Sequence, residues 1–268
     1  MFQLEKPERL LWGAVLVLLL AAVAGPFVAE PAHAHDLADQ RAWGRIPFTL
    51  NVLSNLPFAL WGAAGLGCLV WRRRATGPVG LTARHGLAAL FFTGLLATAA
   101  TSAWYHWQPD DLGLAVDRLG MAVAFAGLLG LAAAERVSAR AGLALGAAML
   151  VLGPCAVGVW LSSGNALPWG LLQFGGMGLI VWLACLPPLA DEIPMASGDS
   201  PIRWATVVAI YALAKLFEFG DQLVFDWTGH LVSGHSLKHV VASCTAWPVV
   251  AALIPTRKTK AESLQITA

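Results

Sequence analysis

The feature that most limits what this chain can fold into is a run of eight apolar stretches, at 10–29, 47–71, 85–107, 117–134, 141–161, 169–189, 202–219 and 235–254. A stretch of about 20 apolar residues, wound as a helix, spans the ~30 Å of hydrocarbon in a bilayer. Backbone in hydrocarbon must satisfy its hydrogen bonds internally, so only helices and closed barrels qualify, and the stretches lack the strict alternation of barrel strands. Composition agrees: charged residues are 12% of the chain and mean hydropathy is +0.66, where soluble domains carry about 25% charge. The expected fold is an all-α, polytopic membrane protein with a seven-helix core over residues 35–255. Residues 1–34 form an added N-terminal apolar segment and 256–268 a cytoplasmic tail.

The N-terminal segment reads in two ways. Lys6 and Arg9 precede it, Pro26 interrupts its end, and Ala32-His33-Ala34 resembles a cleavage site, which is the layout of a signal peptide. Glu5 and Glu8 weaken the basic leader and favour a retained helix. Either way Asp36 emerges on the non-cytoplasmic side. Arg72, Arg73, Arg74 and Arg84 fill one loop, Arg136 and Arg140 another, and Arg257, Lys258 and Lys260 the tail. The positive-inside rule places all three in the cytoplasm, and an up-and-down count keeps them on one side. The loop at 190–202 is acidic and falls inside by that count, but acidic residues weigh little in the rule. The loops with Asp110, Asp111, Asp221 and Asp226 then face outward.

Several function classes drop out. The net charge of +1 and the lack of basic patches interleaved with aromatics exclude a nucleic-acid partner. Cys68, Cys155, Cys185 and Cys244 all lie in apolar stretches without a CxxC pair, which argues against a disulfide framework or thiolate zinc site. Most of the twelve tryptophans, among them Trp71, Trp104, Trp107, Trp160, Trp169, Trp204 and Trp227, stand near stretch ends and read as an interfacial belt.

On this topology the polar residues gather at one depth. Ser102 and His106 close a helix running outward, Asp117 opens the next from the outer side, and His235 and His239 start the last helix at the same end. His235 and His239 are four apart and share a helical face, a spacing with which two histidines can hold zinc. His106 supplies a third nitrogen; three protein ligands plus water is the open form of a catalytic zinc site. HxxxH alone is a weak signal, and histidines bonded between helices are the plain alternative. Polar groups are costly within a bilayer, which favours a functional role. Ser102 shares the His106 face, though membrane serines commonly bond back to a carbonyl. Asp117 could simply cap its helix.

Lys215, Glu218 and Asp221 form a second cluster, with Lys238 in reach, and read as an ion-pair network. His33 and His35 beside Asp36 read as a solvated loop, and Tyr105, His85 and His230 as interface residues. Asn51, Ser54 and Asn55 are placed to bond neighbours or border the histidine site.

The combined pattern Asn51-x-x-Ser54-Asn55-Leu56, Ser102-x-x-x-His106, Asp117, and His235-x-x-x-His239 resembles the alkaline ceramidases, part of a wider seven-helix hydrolase superfamily that also contains the progestin and adipoQ receptors. The resemblance covers the core from about residue 36 to 254. It implies an intramembrane amidase that splits ceramide-like lipids into fatty acid and sphingoid base. It further implies one zinc ion on His106, His235 and His239, Asp117 as the proton-transfer group and Ser102 as an oxyanion donor. Eukaryotic members bind calcium through acidic residues just before the first core helix. Here Asp36, Asp39 and Asn51 lie in that region, but Pro47, Phe48 and Thr49 directly precede the helix without a glutamate, which argues against calcium. Alternatives are a lipid receptor or sensor with structural zinc, a hydrolase of another acyl lipid, and a metal transporter; the last predicts polar residues throughout the bilayer rather than at one level. Protein partners are not indicated.

Overall fold

The computed structural model describes residues 5–32, 34–76, 82–189 and 200–254. The expectations for His33, most of the 190–202 loop and the 256–268 tail fall outside them. The described residues form helices α1 Lys6–Ala24, α2 Thr49–Leu53, α3 Leu56–Thr76, α4 Ala83–Trp107, α5 Asp111–Arg136, α6 Ala139–Ser163, α7 Leu167–Gly170, α8 Gly176–Ala184, α9 Trp204–Phe219, α10 Asp221–Trp227, α11 Gly234–Ser243 and α12 Ala246–Leu253. A π-helical turn, Leu171–Gly175, joins α7 to α8. Seven helical spans, counting α2–α3, α7–α8 and α11–α12 as one each, are long and apolar enough to cross a membrane. The chain is an all-α polytopic protein.

α9 falls short of that length at 16 residues, about 24 Å of helix. It nevertheless runs the whole way from the Glu135 end of the bundle, where the Trp204 indole N–H bonds the Glu135 carboxylate, to the end where Gly234 packs on Phe217 and Asp221.

Local sequence explains where the helices start. Asp110, Ser138 and Ser233 each accept a hydrogen bond from the backbone N–H three residues on, satisfying a donor that the helix leaves unpaired. α5 therefore begins six residues earlier than the apolar pattern suggests. Asp117 is not its cap: Asp110 holds that position, and Asp117 sits one to two turns inside.

α4 and α5 share the most extensive interface in the bundle. Gly127 of α5 lies so close to α4 that a Cβ there would come within 2.3 Å of the Phe91 nitrogen. Gly94 of α4 is pressed in the same way on the backbone of Ala124. This small-residue contact lets the two backbones approach and sets Ser102 beside Asp117. α11 packs against both α9 and α3, bringing the other two histidines to the same end.

The tryptophan belt holds in part. Trp71, Trp104, Trp107 and Trp227 are exposed at helix ends. Trp160, Trp169 and Trp204 are buried instead: the first two stack on the Arg118 guanidinium at 4.3 and 5.5 Å, and Trp204 bonds Glu135.

Candidate metal centre

His106 ends α4, while His235 and His239 occupy the first turns of α11. Their ring centroids are 4.8 to 4.9 Å apart in all three pairings. One ring nitrogen from each lies within 4.8 Å of the other two, and among the described residues these three are the group of histidine, cysteine or carboxylate side chains that converges in this way. The Nε2 atoms of His106 and His235 are 3.2 Å apart. Nitrogen ligands about 2.0–2.1 Å from a tetrahedral ion stand roughly 3.3–3.4 Å from one another, so the spacing fits shared ligation. A hydrogen bond between the His106 and His235 rings would pair those two but would not account for the equally close approach of His239 to both.

The surroundings prepare His239 for that role. Its Nδ1 lies 2.8 Å from the Ser54 hydroxyl, which donates to the Asn51 carbonyl at 3.0 Å. Having given its proton to the carbonyl, the hydroxyl accepts from the imidazole, so Nδ1 carries the hydrogen and Nε2 presents a lone pair. A partner on the second nitrogen is the usual way in which a ligating histidine is oriented. Asn51 is fixed in turn: Ser236 donates to its Oδ1 at 2.8 Å and its amide donates to the Asp39 carbonyl at 2.9 Å. His106 is fully buried, with no partner for Nδ1; the Tyr105 ring lies 4.7 Å away.

Asp117 and Ser102 stand next to each other in a cavity of about 110 Å³ that also reaches His239. Asp117 is 8% exposed, and its Oδ1 has no hydrogen-bond partner. A buried carboxylate oxygen without a donor costs free energy, and the residue that carries it lines the cavity. Below this polar mouth the walls are apolar: Phe91 and Leu95 from α4, and Ala124, Phe125 and Leu128 from α5.

A non-helical strap crosses the histidine end of the bundle. Its Ala38 N–H bonds one Asp221 oxygen at 3.0 Å, and the other Asp221 oxygen takes the His235 backbone N–H at 2.7 Å. Asp221 thus anchors the strap and the start of α11 rather than joining the lysine network. Tyr105 lies buried under the strap, its hydroxyl 3.0 Å from His35 Nδ1, instead of anchoring at an interface. Arg41 takes both oxygens of Asp39, at 2.8 and 2.7 Å, and donates to the Leu231 carbonyl. Burial alone would raise the Asp39 carboxyl, but the guanidinium hydrogen bonds outweigh it and hold the group below its ordinary value. Asp39 and Asn51, read above against calcium, thus have their side chains engaged within the protein.

The residues singled out in the sequence, His106, His235, His239, Ser102 and Asp117, all reach this end of the fold. Lys215 and Lys238 both bond Glu218, the second at 2.7 Å, as an ion-pair network requires. Sequence reading missed the Arg118–Glu30 pair, closed at 2.8 and 2.7 Å. The only signal was an arginine beside Asp117 in an apolar stretch. Neither a scan against protein-family models nor a search of curated proteins finds a match to this chain.

Proposed function

We propose that the chain is an intramembrane zinc-dependent amidase that cleaves the N-acyl bond of ceramide-like lipids. The observation that carries this reading is the convergence of three imidazoles, one of which, His239, shares a largely apolar cavity with the buried, under-bonded carboxylate of Asp117. His106, His235 and His239 would hold the ion, as three neutral nitrogen donors suit zinc and leave a position open. Zinc so bound supplies a water that ionises near neutral pH and an electrophile for the acyl oxygen.

The chain's own residues do the rest. The cavity runs along α5 from Asp117 to Leu128, about 16 Å at 1.5 Å per residue, and takes the acyl chain in an environment from which water is excluded. The Ser102 hydroxyl donates to the acyl oxygen as negative charge builds there. Asp117 accepts the proton of the attacking water and delivers it to the departing nitrogen, which is a poor leaving group without it. The arginines at the ends of α3 to α6 favour, by the positive-inside rule, a site on the non-cytoplasmic face and a cytoplasmic C-terminus. Impermeant thiol labelling of intact cells tests that orientation: an introduced cysteine at Asp110 should react and one at Arg73 should not, and the reverse overturns it.

The activity test is incubation of detergent-purified protein with a panel of lipid amides and esters, with and without chelator. Chelator-sensitive release of fatty acid from ceramide is expected. No hydrolysis across the panel, with metal bound, would sink the amidase reading in favour of a receptor.

A further inference from the structure

The cavity contains two cations that the proposed chemistry does not use. Lys215 and Lys238 line it together with Glu218, Asp117 and Ser102. Glu218 accepts one hydrogen bond from each lysine, on opposite carboxylate oxygens. Each ammonium has three N–H donors, and no further protein acceptor bonds either one among the described residues. Lys215 also lies 5.4 Å from the Phe174 ring centroid and 5.8 Å from that of Tyr211. The network of two ammonium groups and one carboxylate is thus one positive charge in excess. Asp117 lines the same cavity without bonding either lysine among the described residues, so the remaining N–H donors of the two ammonium groups stay unfilled. Buried donors without acceptors are expensive, and intramembrane ionisable groups tend to mark binding pathways.

Position says which part of a ligand meets this charge. Lys215 and Glu218 on α9, and Lys238 on α11, surround the end that holds Ser102, Asp117 and His239. Phe91, Leu95 and Leu128 line the other end. With the acyl chain in the apolar end and its carbonyl at Ser102, the portion left beside the lysines is the amine half. We infer that Lys238 and Lys215 recognise the headgroup, and that among ceramide-like amides this site favours those with an anionic substituent, a carboxylate or a phosphate, on the amine half. This rests on the amidase reading for the orientation of the ligand, and it adds to that reading a preference for acidic over neutral headgroups.

Binding of non-cleavable ethers to the purified, full-length, metal-containing protein tests it without turnover. Oleyloxyacetate, 2-(oleyloxy)ethyl phosphate and 2-(oleyloxy)ethanol share a chain and differ in the end group; calorimetry in one detergent compares them, and the two acids tell carboxylate from phosphate. A charge-assisted hydrogen bond should make at least one acid bind about tenfold tighter than the alcohol. Lys238→Met leaves Lys215 and Glu218 as a neutral pair and should erase the preference, and Lys215→Met, remote from the metal ligands, should do the same. Glu218→Gln raises the excess charge and should widen the preference. A purely structural network would not move the preference in opposite directions. Equal affinity for all three ethers, or a preference for acid that survives both lysine substitutions, overturns the inference. Because no bond is cleaved, failure of the amidase reading shows separately, as absence of hydrolysis.

Discussion

Two carboxylates on α5, Glu135 and Asp117, are almost equally buried, at 5% and 8% exposure, yet they belong to opposite kinds of site. Eighteen residues separate them, about 27 Å of helix. Glu135 is saturated: one oxygen takes Arg84 Nε at 2.9 Å, and the other takes the Trp204 indole at 2.9 Å and the Ile202 backbone N–H at 3.2 Å. At the same end Glu8 accepts from Ser138 and Arg140, both at 2.6 Å, and Arg72 bonds the Leu253 carbonyl. Glu135 and Glu8 each tie one helix to another. At the far end Asp117 keeps an oxygen without a donor, two lysines share one glutamate, and three imidazoles face one point. Closed polar networks hold the bundle together at one end; at the other, open end, polar groups keep unfilled hydrogen-bonding capacity.

Substitutions at the two ends should therefore fail differently. At the open end, Asp117→Asn should keep the fold and the metal while amide hydrolysis falls by about 10²–10⁴-fold, the contribution of a positioned proton-transfer group. Unchanged hydrolysis with metal retained would remove Asp117 from the mechanism. At the closed end, Glu135→Gln takes the carboxylate charge away from Arg84, which keeps its bond to the Ser200 carbonyl, and should cost up to about 3–5 kcal/mol, the penalty for breaking a buried pair. Thermal unfolding in detergent should show this loss, with metal content per folded chain unaltered. Next in size, Ser102→Ala should lower turnover by no more than about 10²–10³-fold, because the ion still polarises the acyl oxygen. The smallest effect belongs to Ser54→Ala, which removes the bond that orients His239 and should weaken metal binding by about 10–100-fold. Competition against a metal indicator measures it, and unaltered affinity would mean that Ser54 has no orienting role.

The histidine site was legible because polar residues in apolar stretches are costly and few, so their depth could be read from helix order alone. The role of Asp117 was less so. Whether an aspartate caps a helix or lies within it depends on where the helix begins, and Asp110 had an equal claim to the cap. Asp221 illustrates a second limit. Its acidic neighbourhood suggested the lysine network, whereas it bonds two backbone N–H groups brought together by the strap, and such partners have no side-chain signature. Trp160 and Trp169 stand near helix ends as belt residues do, but a charged neighbour, Arg118, draws them inward through stacking. The π-turn at Leu171–Gly175 was hidden for a related reason: glycines at 170, 175 and 176 read equally well as ordinary close-packing positions.

Three imidazoles from two distant parts of the chain converge on one point, and elemental analysis of detergent-purified protein decides whether they hold a metal ion. About one zinc per chain is expected in the wild type and its loss in the His235→Ala, His239→Ala double variant, with helical content preserved by circular dichroism. Metal content that the double variant leaves unchanged, or a folded wild type that takes up no metal when zinc is supplied, would contradict it.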